Sequence, residues 1–333
     1  MKQAEPVRHI PVYVVLPPRT MLLDVSGPLE VLRQANREQQ AVAFEVHYIG
    51  ARPQVISSIG IHLAGIQGLP DSLPEHAMVV VVGDVQDVMA GFSPTDEQQD
   101  LADQDMIVSW LRERVRPSHQ LVCICSGALL AGRAGLLDGR LCTTHQVCCE
   151  ELASLAPRAR VLQNRLFVQD DNCFTSAGVT AGIDLMLQIV ADSAGHACAA
   201  GVARYLVVYL RRAGGDPQLS PWIEGRNHLH PAIHRIQDAI TADPVKPWTL
   251  ETLARAAGAS TRHISRLFHE HTGMSITEYK NRLRVALARQ FLSQTPLDME
   301  RVAEQSGFAS TRQLRRAWKR VHETPPRSAR RAS

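Results

Sequence analysis

Short apolar runs alternate with amphipathic segments over the first half of the chain. Residues 10–16 (IPVYVVL), 78–82 (MVVVV) and 121–125 (LVCIC) are nearly continuous apolar runs, which is typical of parallel strands covered on both faces. Shorter strands are predicted at 44–49, 55–63, 160–163 and 166–175, the last two as a pair. Helical periodicity predicts helices at 27–34, 97–115, 127–134, 146–155 and 180–191. This alternation indicates a doubly wound, flavodoxin-like α/β domain.

The second half is helical by pattern and contains an internal repeat. Residues 250–257 (LETLARAA) and 299–306 (MERVAEQS) share an order of Glu, apolar, Ala and small positions, and each runs into a glycine, Gly258 or Gly307. A helix, a tight turn with glycine and a second helix form a helix-turn-helix unit. We therefore predict an all-α domain with two such units, joined by one long helix at about 276–292.

Turn-forming composition separates the two halves. An apolar helix predicted at 197–212 is followed by residues 214–225 (GGDPQLSPWIEG), which are rich in Gly and Pro and are typical of a linker. The predicted domains are therefore an effector-sensing domain at 8–196, a connecting helix and linker at 197–229, and a DNA-binding domain at 230–330.

Charge is divided unequally between the halves. Of the 36 Lys and Arg residues and the 33 Asp and Glu residues, 18 and 9 lie from His228 onward, so a net charge of +9 follows a net charge of −6. This asymmetry indicates that the second half meets a polyanion, although a solvated basic surface would give the same count.

The second helix of each repeat carries a polar face opposite its apolar one. Arg can bind guanine and Gln can bind adenine in the major groove, while Ser, Thr and helix N-termini contact phosphates. Two such helices on one rigid connection should read double-stranded DNA about one turn, ~34 Å, apart. The alternative is a set of solvent-facing charges on a helical bundle. The predicted DNA-binding residues are Ser260, Thr261, Arg262, His263, Ser265, Arg266, Ser310, Thr311, Arg312, Gln313, Arg315 and Arg316.

Candidate chemistry in the first half lies directly after the strand at 121–125. Cys125, Ser126 and Gly127 form a strand-to-helix turn that would expose the cysteine at the top of the sheet as a thiolate of lowered pKa. His145 would supply a base, and Asp24 a carboxylate at the same edge. The predicted ligand-binding residues are Asp24, Gly27, Cys125, Ser126 and His145.

Each of these residues also has a purely structural interpretation. Cys125 could be a small buried hydrophobe, His145 a helix cap, and Asp24 the N-cap of the helix at 27–34. Cys148-Cys149 and Cys123/Cys125 lack a metal-ligand pattern with a second pair, so no metal site and no cofactor are expected.

Residues 231–330 resemble the DNA-binding domain of AraC/XylS-family transcription regulators. The similarity includes Gly307-Phe308 in the second unit and Pro325-Pro326 near the end. Leu314 and Trp318 stand where that family usually has Phe. The resemblance implies sequence-specific DNA binding.

Residues 8–195 resemble the ThiJ/PfpI family, which has a class I glutamine amidotransferase-like fold. The similarity lies in Asp24-x-x-Gly27-Pro28 and Ile124-Cys125-Ser126-Gly127, and in Gly135-Leu136-Leu137-x-Gly139-Arg140, Thr143-Thr144-His145 and Thr175-Ser176-Ala177-Gly178. In enzymes of that family the cysteine at the turn is the nucleophile. Catalysis is usually not assigned in regulators that combine the two domains, whose first domain is thought to sense small nitrogenous metabolites.

The two resemblances together imply a transcription regulator controlled by a small nitrogenous metabolite. We expect it to be cytoplasmic, since no export signal and no membrane-spanning run are visible, and to bind no membrane. A homodimer and contact with RNA polymerase are expected. The alternative function is a cysteine-dependent hydrolase or hydratase with an appended DNA-binding domain; otherwise the protein is not an enzyme.

Overall fold

The computed structural model describes residues 7–89, 97–208, 230–322 and 324–330, with the single positions 214, 218 and 228. The chain divides into two compact units, Met1–Gln218 and Leu219–Ser333. Of the predicted linker at 214–225, only 214 and 218 lie within the described residues. Within those residues, no helix is both long and apolar enough to cross a membrane.

The first unit is a sheet of seven strands between two helical layers. Its strands, including two short pairs outside the main sheet, are β1 Arg8–Val15, β2 Val42–Gly50, β3 Gln54–Ile56, β4 His62–Ala64, β5 Gln67–Gly68, β6 Met78–Val81, β7 Gln120–Ile124, β8 Leu141–Cys142, β9 Arg160–Val161, β10 Phe167–Asp170 and β11 Cys173–Ser176. Its helices are α1 Leu22–Glu38, α2 Glu97–Arg114, α3 Gly127–Arg133, α4 Cys149–Leu155, α5 Thr180–Ala194 and α6 His196–Tyr205, with a 3₁₀ turn at Gln146–Cys148.

Alternation along the strands builds the two apolar layers. Val12, Val14 and Val80 face one side of the sheet and pack with α1, α5 and α6. Val15 and Val81 face the other side and pack with α2, α3 and α4. Both faces of the central strands are buried, which explains their continuous apolar sequence.

The strand order is β10-β11-β7-β6-β1-β2-β5, and only β10 runs antiparallel to its neighbour. The chain passes from β1 to β2 on one side and then crosses to β6 on the other. This is the flavodoxin-like order with its switch point between β1 and β6, where ligands bind at the carboxyl edge. The predicted α/β fold class is confirmed.

Four local predictions were wrong. The helix predicted at 197–212 begins at His196 and ends at Tyr205. The segment predicted as a strand at 160–163 pairs with β8, not with the next strand. The predicted strand at 166–175 is a hairpin of β10 and β11 that turns at Asp171, which has a positive φ. The first helix begins at Leu22, five residues before the predicted start, so Asp24 lies in its first turn and Met21 is its N-cap.

The helical unit contains six α-helices within its described residues. They are α7 Pro231–Ala242, α8 Leu250–Ala257, α9 Thr261–Thr272, α10 Ile276–Gln294, α11 Met299–Gln305 and α12 Thr311–Lys319. One apolar cluster joins α7, α8 and α9 to the start of α10. A second cluster joins the rest of α10 to α11 and α12. The predicted pair of helix-turn-helix units on one long helix is confirmed.

Candidate functional site

Cys125 stands at a strained turn between β7 and α3. Its φ of 56° lies in the left-handed region, which costs a non-glycine residue ~1–3 kcal/mol and needs support from its surroundings. The Cys125 N–H donates to the Ser176 carbonyl at 3.0 Å, and the Thr144 hydroxyl donates to the Cys125 carbonyl at 2.8 Å. Two neighbouring segments therefore hold the turn, as a nucleophile elbow requires.

Glycines make room for this turn. A Cβ on Gly178, whose φ is +81°, would lie 2.2 Å from the Cys125 Cβ and 2.7 Å from its Sγ. A Cβ on Gly83 would lie 2.6 Å from Asp24 Oδ2 and 2.9 Å from Ser126 Oγ. Cys125, Asp24 and Ser126 therefore converge on the backbone that follows β6 and β11.

Asp24 is fully buried beside the cysteine. Its Oδ1 accepts a hydrogen bond of 2.6 Å from the N–H of Val179, a β-branched residue held at φ 50°. Its Oδ2 has no hydrogen-bond partner of standard geometry among the described residues. Burial raises the pKa of this carboxyl to about 6, against the lowering effects of the Val179 N–H, the Cys125 thiol and the Gly83 backbone.

The predicted thiolate at Cys125 is wrong. Burial of the sulfur and the neighbouring Asp24 charge raise the pKa of the Cys125 thiol, and these effects outweigh the Ser126 N–H at the start of α3. These surroundings favour the neutral thiol over the thiolate. The sequence shows the helix terminus, which lowers the pKa of the Cys125 thiol. It does not show the desolvation or the contact with Asp24, both of which raise that pKa.

Asp84 is a second buried acid at this edge that the sequence prediction missed. Its carboxyl accepts hydrogen bonds from the Ser126 hydroxyl at 2.9 Å and from Gln104 Nε2 at 2.8 Å. Burial raises the pKa of Asp84. Asp84 lies three residues after the end of β6, and Cys125 lies directly after β7, so a search for polar residues near strand ends would also have found Asp84.

Two residues of the predicted site, His145 and Gly27, have different roles from Cys125 and Asp24. His145 is half-buried at the start of the 3₁₀ turn, burial lowers its pKa, and no hydrogen bond within the described residues joins its ring to Cys125 or Asp24. A Cβ on Gly27 would lie 3.0 Å from Ile183 of α5, so this glycine permits close helix packing.

No group of His, Cys, Asp and Glu within the described residues could hold a metal ion. All seven cysteines are free thiols. Cys123, fully buried under the turn, belongs to the apolar cluster beneath α3.

The second helices of the two helix-turn-helix units, α9 and α12, have the same construction. Ser260 caps α9 by accepting from the His263 N–H, and Ser310 caps α12 by accepting from the Gln313 N–H, each at 3.3 Å. The nine positions after each cap, 261–269 and 311–319, have the same pattern of buried and exposed residues. The two serine oxygens therefore have a structural role as caps, in addition to the phosphate contact predicted from sequence.

The remaining predicted DNA-binding residues of both helices face solvent, except the half-buried Thr261 and Thr311. Arg262 and Arg312 are exposed at equivalent positions, and neither guanidinium has an intramolecular partner among the described residues. Arg266 forms an ion pair of 2.9 Å with Glu270, and the Ser265 hydroxyl donates to the Thr261 carbonyl. Exposed, unpaired arginines at the start of a helix are suited to contact bases or phosphates.

The sequence profile of the DJ-1/PfpI family matches residues 11–192, and that of a helix-turn-helix domain matches residues 253–332. The HTH-type transcriptional regulator GbdR of Pseudomonas aeruginosa is 29% identical over 93% of this chain and 81% of its own length. The HTH-type transcriptional regulator GlxA of Rhizobium meliloti is 32% identical over 74% of each chain. An isonitrile hydratase of Pseudomonas putida is 30% identical over 54% of this chain and 69% of its own length.

The chain belongs to the DJ-1/PfpI family. The chain also has a helix-turn-helix domain, and the relatives that match over both halves are HTH-type transcriptional regulators. The chain is therefore a transcriptional regulator of the AraC type and not an enzyme. Its helical unit binds DNA, and its α/β unit is the DJ-1/PfpI-like ligand-binding domain. The hydratase matches over a shorter part of the chain.

Proposed function

We propose that a small nitrogenous metabolite binds at the carboxyl edge of β1, β6 and β7 and controls DNA binding by the helical unit. The observation that carries this proposal is the buried Asp24 carboxyl at the switch point of the sheet, whose Oδ2 accepts no hydrogen bond of standard geometry from the described residues. A buried acceptor without a donor costs ~1–3 kcal/mol, which an N–H group of a ligand would recover. An ammonium group would do so more strongly as the carboxyl ionises.

A hydrogen-bonded path leads from this edge toward the chain that enters the helical unit. Thr144 donates to the Cys125 carbonyl, and the Thr144 carbonyl accepts from Gln218 Nε2 at 2.7 Å. The Gln218 N–H donates to Asn164 Oδ1 at 2.9 Å, and Leu166 donates to the Gly214 carbonyl at 3.0 Å. A ligand that displaces the Cys125 turn would alter these contacts, which supports Gly214 and Gln218 as points through which control passes.

We also propose that Arg262, Arg266, Arg312, Arg315 and Arg316 contact base edges in the major groove and the phosphates that border it. Their exposure and their position on capped helices support this assignment. We further propose a homodimer, because paired sites raise affinity without new contacts, and RNA polymerase as the partner at the promoter.

The alternative, a cysteine-dependent hydrolase or hydratase, needs a thiolate and a base. The raised pKa of Cys125 and the absence of any bond from the His145 ring to it, within the described residues, both speak against this function.

The experiment is a thermal-shift screen of the full-length protein against primary amines and amino acids, with the corresponding carboxylic acids as controls. A binding amine should raise the unfolding temperature of the wild type, and the rise should grow with the logarithm of the ligand concentration once it exceeds the dissociation constant. Asp24→Asn should abolish the shift, while Gln218→Ala should keep the shift and lose the ligand's effect on DNA binding. A shift that survives in Asp24→Asn would contradict the assignment of the site.

A further inference from the structure

The two helix-turn-helix units of the DNA-binding domain have separate cores. The apolar cluster of the first helix-turn-helix unit ends at Leu283 on the connecting helix α10, and the cluster of the second helix-turn-helix unit begins at Val285. Only Arg284 lies between these two positions along the helix. Among the described residues the two clusters share no member, so beyond the continuous helix α10 the angle between the two helix-turn-helix units depends on the polar contacts around that helix.

Arg284 fills the space between the two units. Its side chain is 8% exposed, although arginine is rarely buried without partners. The guanidinium donates to three carbonyls of the first helix-turn-helix unit, those of Pro244 at 2.7 Å, Val245 at 3.1 Å and Lys246 at 2.9 Å. It donates to the second unit through the carbonyl of Gly307 at 2.5 Å.

Gly307 is shaped to this contact. It lies in the turn between α11 and α12 with a φ of +81°. A Cβ there would stand 3.0 Å from the guanidinium carbon of Arg284 and 3.0 Å from the Cα of Val245. The turn of the second unit, the guanidinium and the loop of the first unit are thus stacked in direct contact.

We propose that Arg284 is the positioning residue that sets the spacing between the two DNA-reading helices. It joins the loop before α8 to the turn before α12, and each of these segments leads into a helix-turn-helix. A planar guanidinium can hold four carbonyls from two segments in one fixed geometry, whereas an ammonium group is a point donor that cannot span them. We call the four contacts of the Arg284 guanidinium the clamp. Loss of the clamp leaves each reading helix intact, but the angle between the two helices is no longer fixed.

Spacing tolerance is the property that separates this role from a general effect on stability. One base pair inserted between two half-sites turns one against the other by roughly 35°. A rigid pair of readers cannot follow that rotation, whereas a loosened pair can follow part of it.

The experiment uses full-length protein and a duplex selected from random DNA by the wild type. Binding is measured to this duplex, to copies with one base pair inserted or removed at its centre, and to copies with either half replaced. The wild type should lose about tenfold in affinity on insertion or removal. Arg284→Lys should bind the original duplex at least tenfold more weakly than the wild type does. Insertion or removal of a base pair should weaken binding of this variant by less than a further threefold. Its affinity for the duplexes with one half replaced should be less than twofold below that of the wild type.

Lys280→Met is the matched control. Lys280 lies one turn earlier on α10 and donates to the Trp248 carbonyl of the first unit only, among the described residues. It should keep the spacing penalty of the wild type. Gly307→Ala tests the same clamp from the second unit and should behave as Arg284→Lys does.

Circular dichroism of each variant checks folding. If Arg284→Lys and Gly307→Ala keep the tenfold spacing penalty, or lose affinity equally for halves and whole, the positioning role is wrong. The role is also wrong if the wild type itself tolerates the inserted base pair, a result that no folding defect in a variant can produce.

Discussion

The two functional regions of this protein are built in opposite ways. At the DNA-binding helices, side chains such as Arg262 and Arg312 face solvent and depend on the fold only through the helix that carries them. At the Cys125 turn, the side chains are buried and held by segments that are distant in sequence. Substitutions should therefore change DNA binding without affecting stability at the first region, and should change stability first at the second.

This contrast reflects two kinds of constraint. An exposed arginine contributes through its partner, so its loss is felt only in the complex. A group inside the turn is constrained by close packing and desolvation before any ligand arrives. Substitutions in both regions test that contrast, and their expected effects range from a large loss of stability to almost no change in function.

Gly178→Ala should have the largest effect. The new Cβ would overlap the Cys125 side chain at 2.2 Å, and the φ of +81° adds backbone strain, so we expect a loss of ~3–5 kcal/mol in the free energy of unfolding. Gly65→Ala is the matched control, since its φ is +79° but nothing lies within 4 Å of its Cβ. It should lose only the strain, ~1–2 kcal/mol. Urea unfolding of both proteins measures the difference, and equal losses would show that the turn is not tightly packed.

Arg312→Ala and Arg262→Ala should each weaken binding to a selected duplex by ~1–3 kcal/mol if they contact bases, with unchanged unfolding temperatures. Arg301→Ala is the control, because Arg301 is an exposed arginine of the same unit that pairs with Glu304 on α11. Unchanged affinity in both reading-helix variants, measured by fluorescence anisotropy, would remove the assignment of these helices.

Asp24→Asn should change the pH dependence of stability. The folded-state pKa of about 6 lies above the usual value of 3.8, so the folded protein holds a proton that the unfolded chain releases between these values. Asp24 therefore lowers stability as pH rises from about 4 to 6. The stability of Asp24→Asn relative to the wild type should increase by ~1–3 kcal/mol between pH 4 and 7. Parallel stability curves for the two proteins would contradict a raised pKa.

Cys125→Ser should have the smallest effect on function. Burial favours the neutral thiol and the close packing at the turn needs a small side chain, so DNA binding and its response to a ligand should stay within about twofold of the wild type. The isonitrile-hydrating activity of wild type and variant should both be at background. Turnover by the wild type that disappears in Cys125→Ser would establish an enzyme instead.

Sequence alone predicted the fold class and the repeat because both depend on periodic patterns. The strands of the sheet centre and the paired Ser-Thr-Arg starts of α9 and α12 follow directly from local residues. The pairing of β9 with β8 was not predicted, because it depends on which strand lies nearby in space. Periodicity does not encode this proximity.

The chemistry of the effector site was less accessible from sequence. The Cys125 turn and Asp24 were correctly brought to one edge, but the direction of the Cys125 pKa depends on burial and on Asp24, which only coordinates provide. Arg284 carried no sequence signal of its clamp, because the carbonyls that it contacts lie about 20 to 40 residues away. Long-range contacts of this kind have no periodic signature.

Footprinting of the full-length protein on a selected duplex tests the central claim most directly. Two helix-turn-helix units that read one duplex should protect two stretches whose centres lie about one helical turn, ~10 base pairs, apart. Arg262→Ala should lose protection at one stretch and Arg312→Ala at the other. A single protected stretch, or loss of the same stretch in both variants, would contradict the account of two readers on one domain.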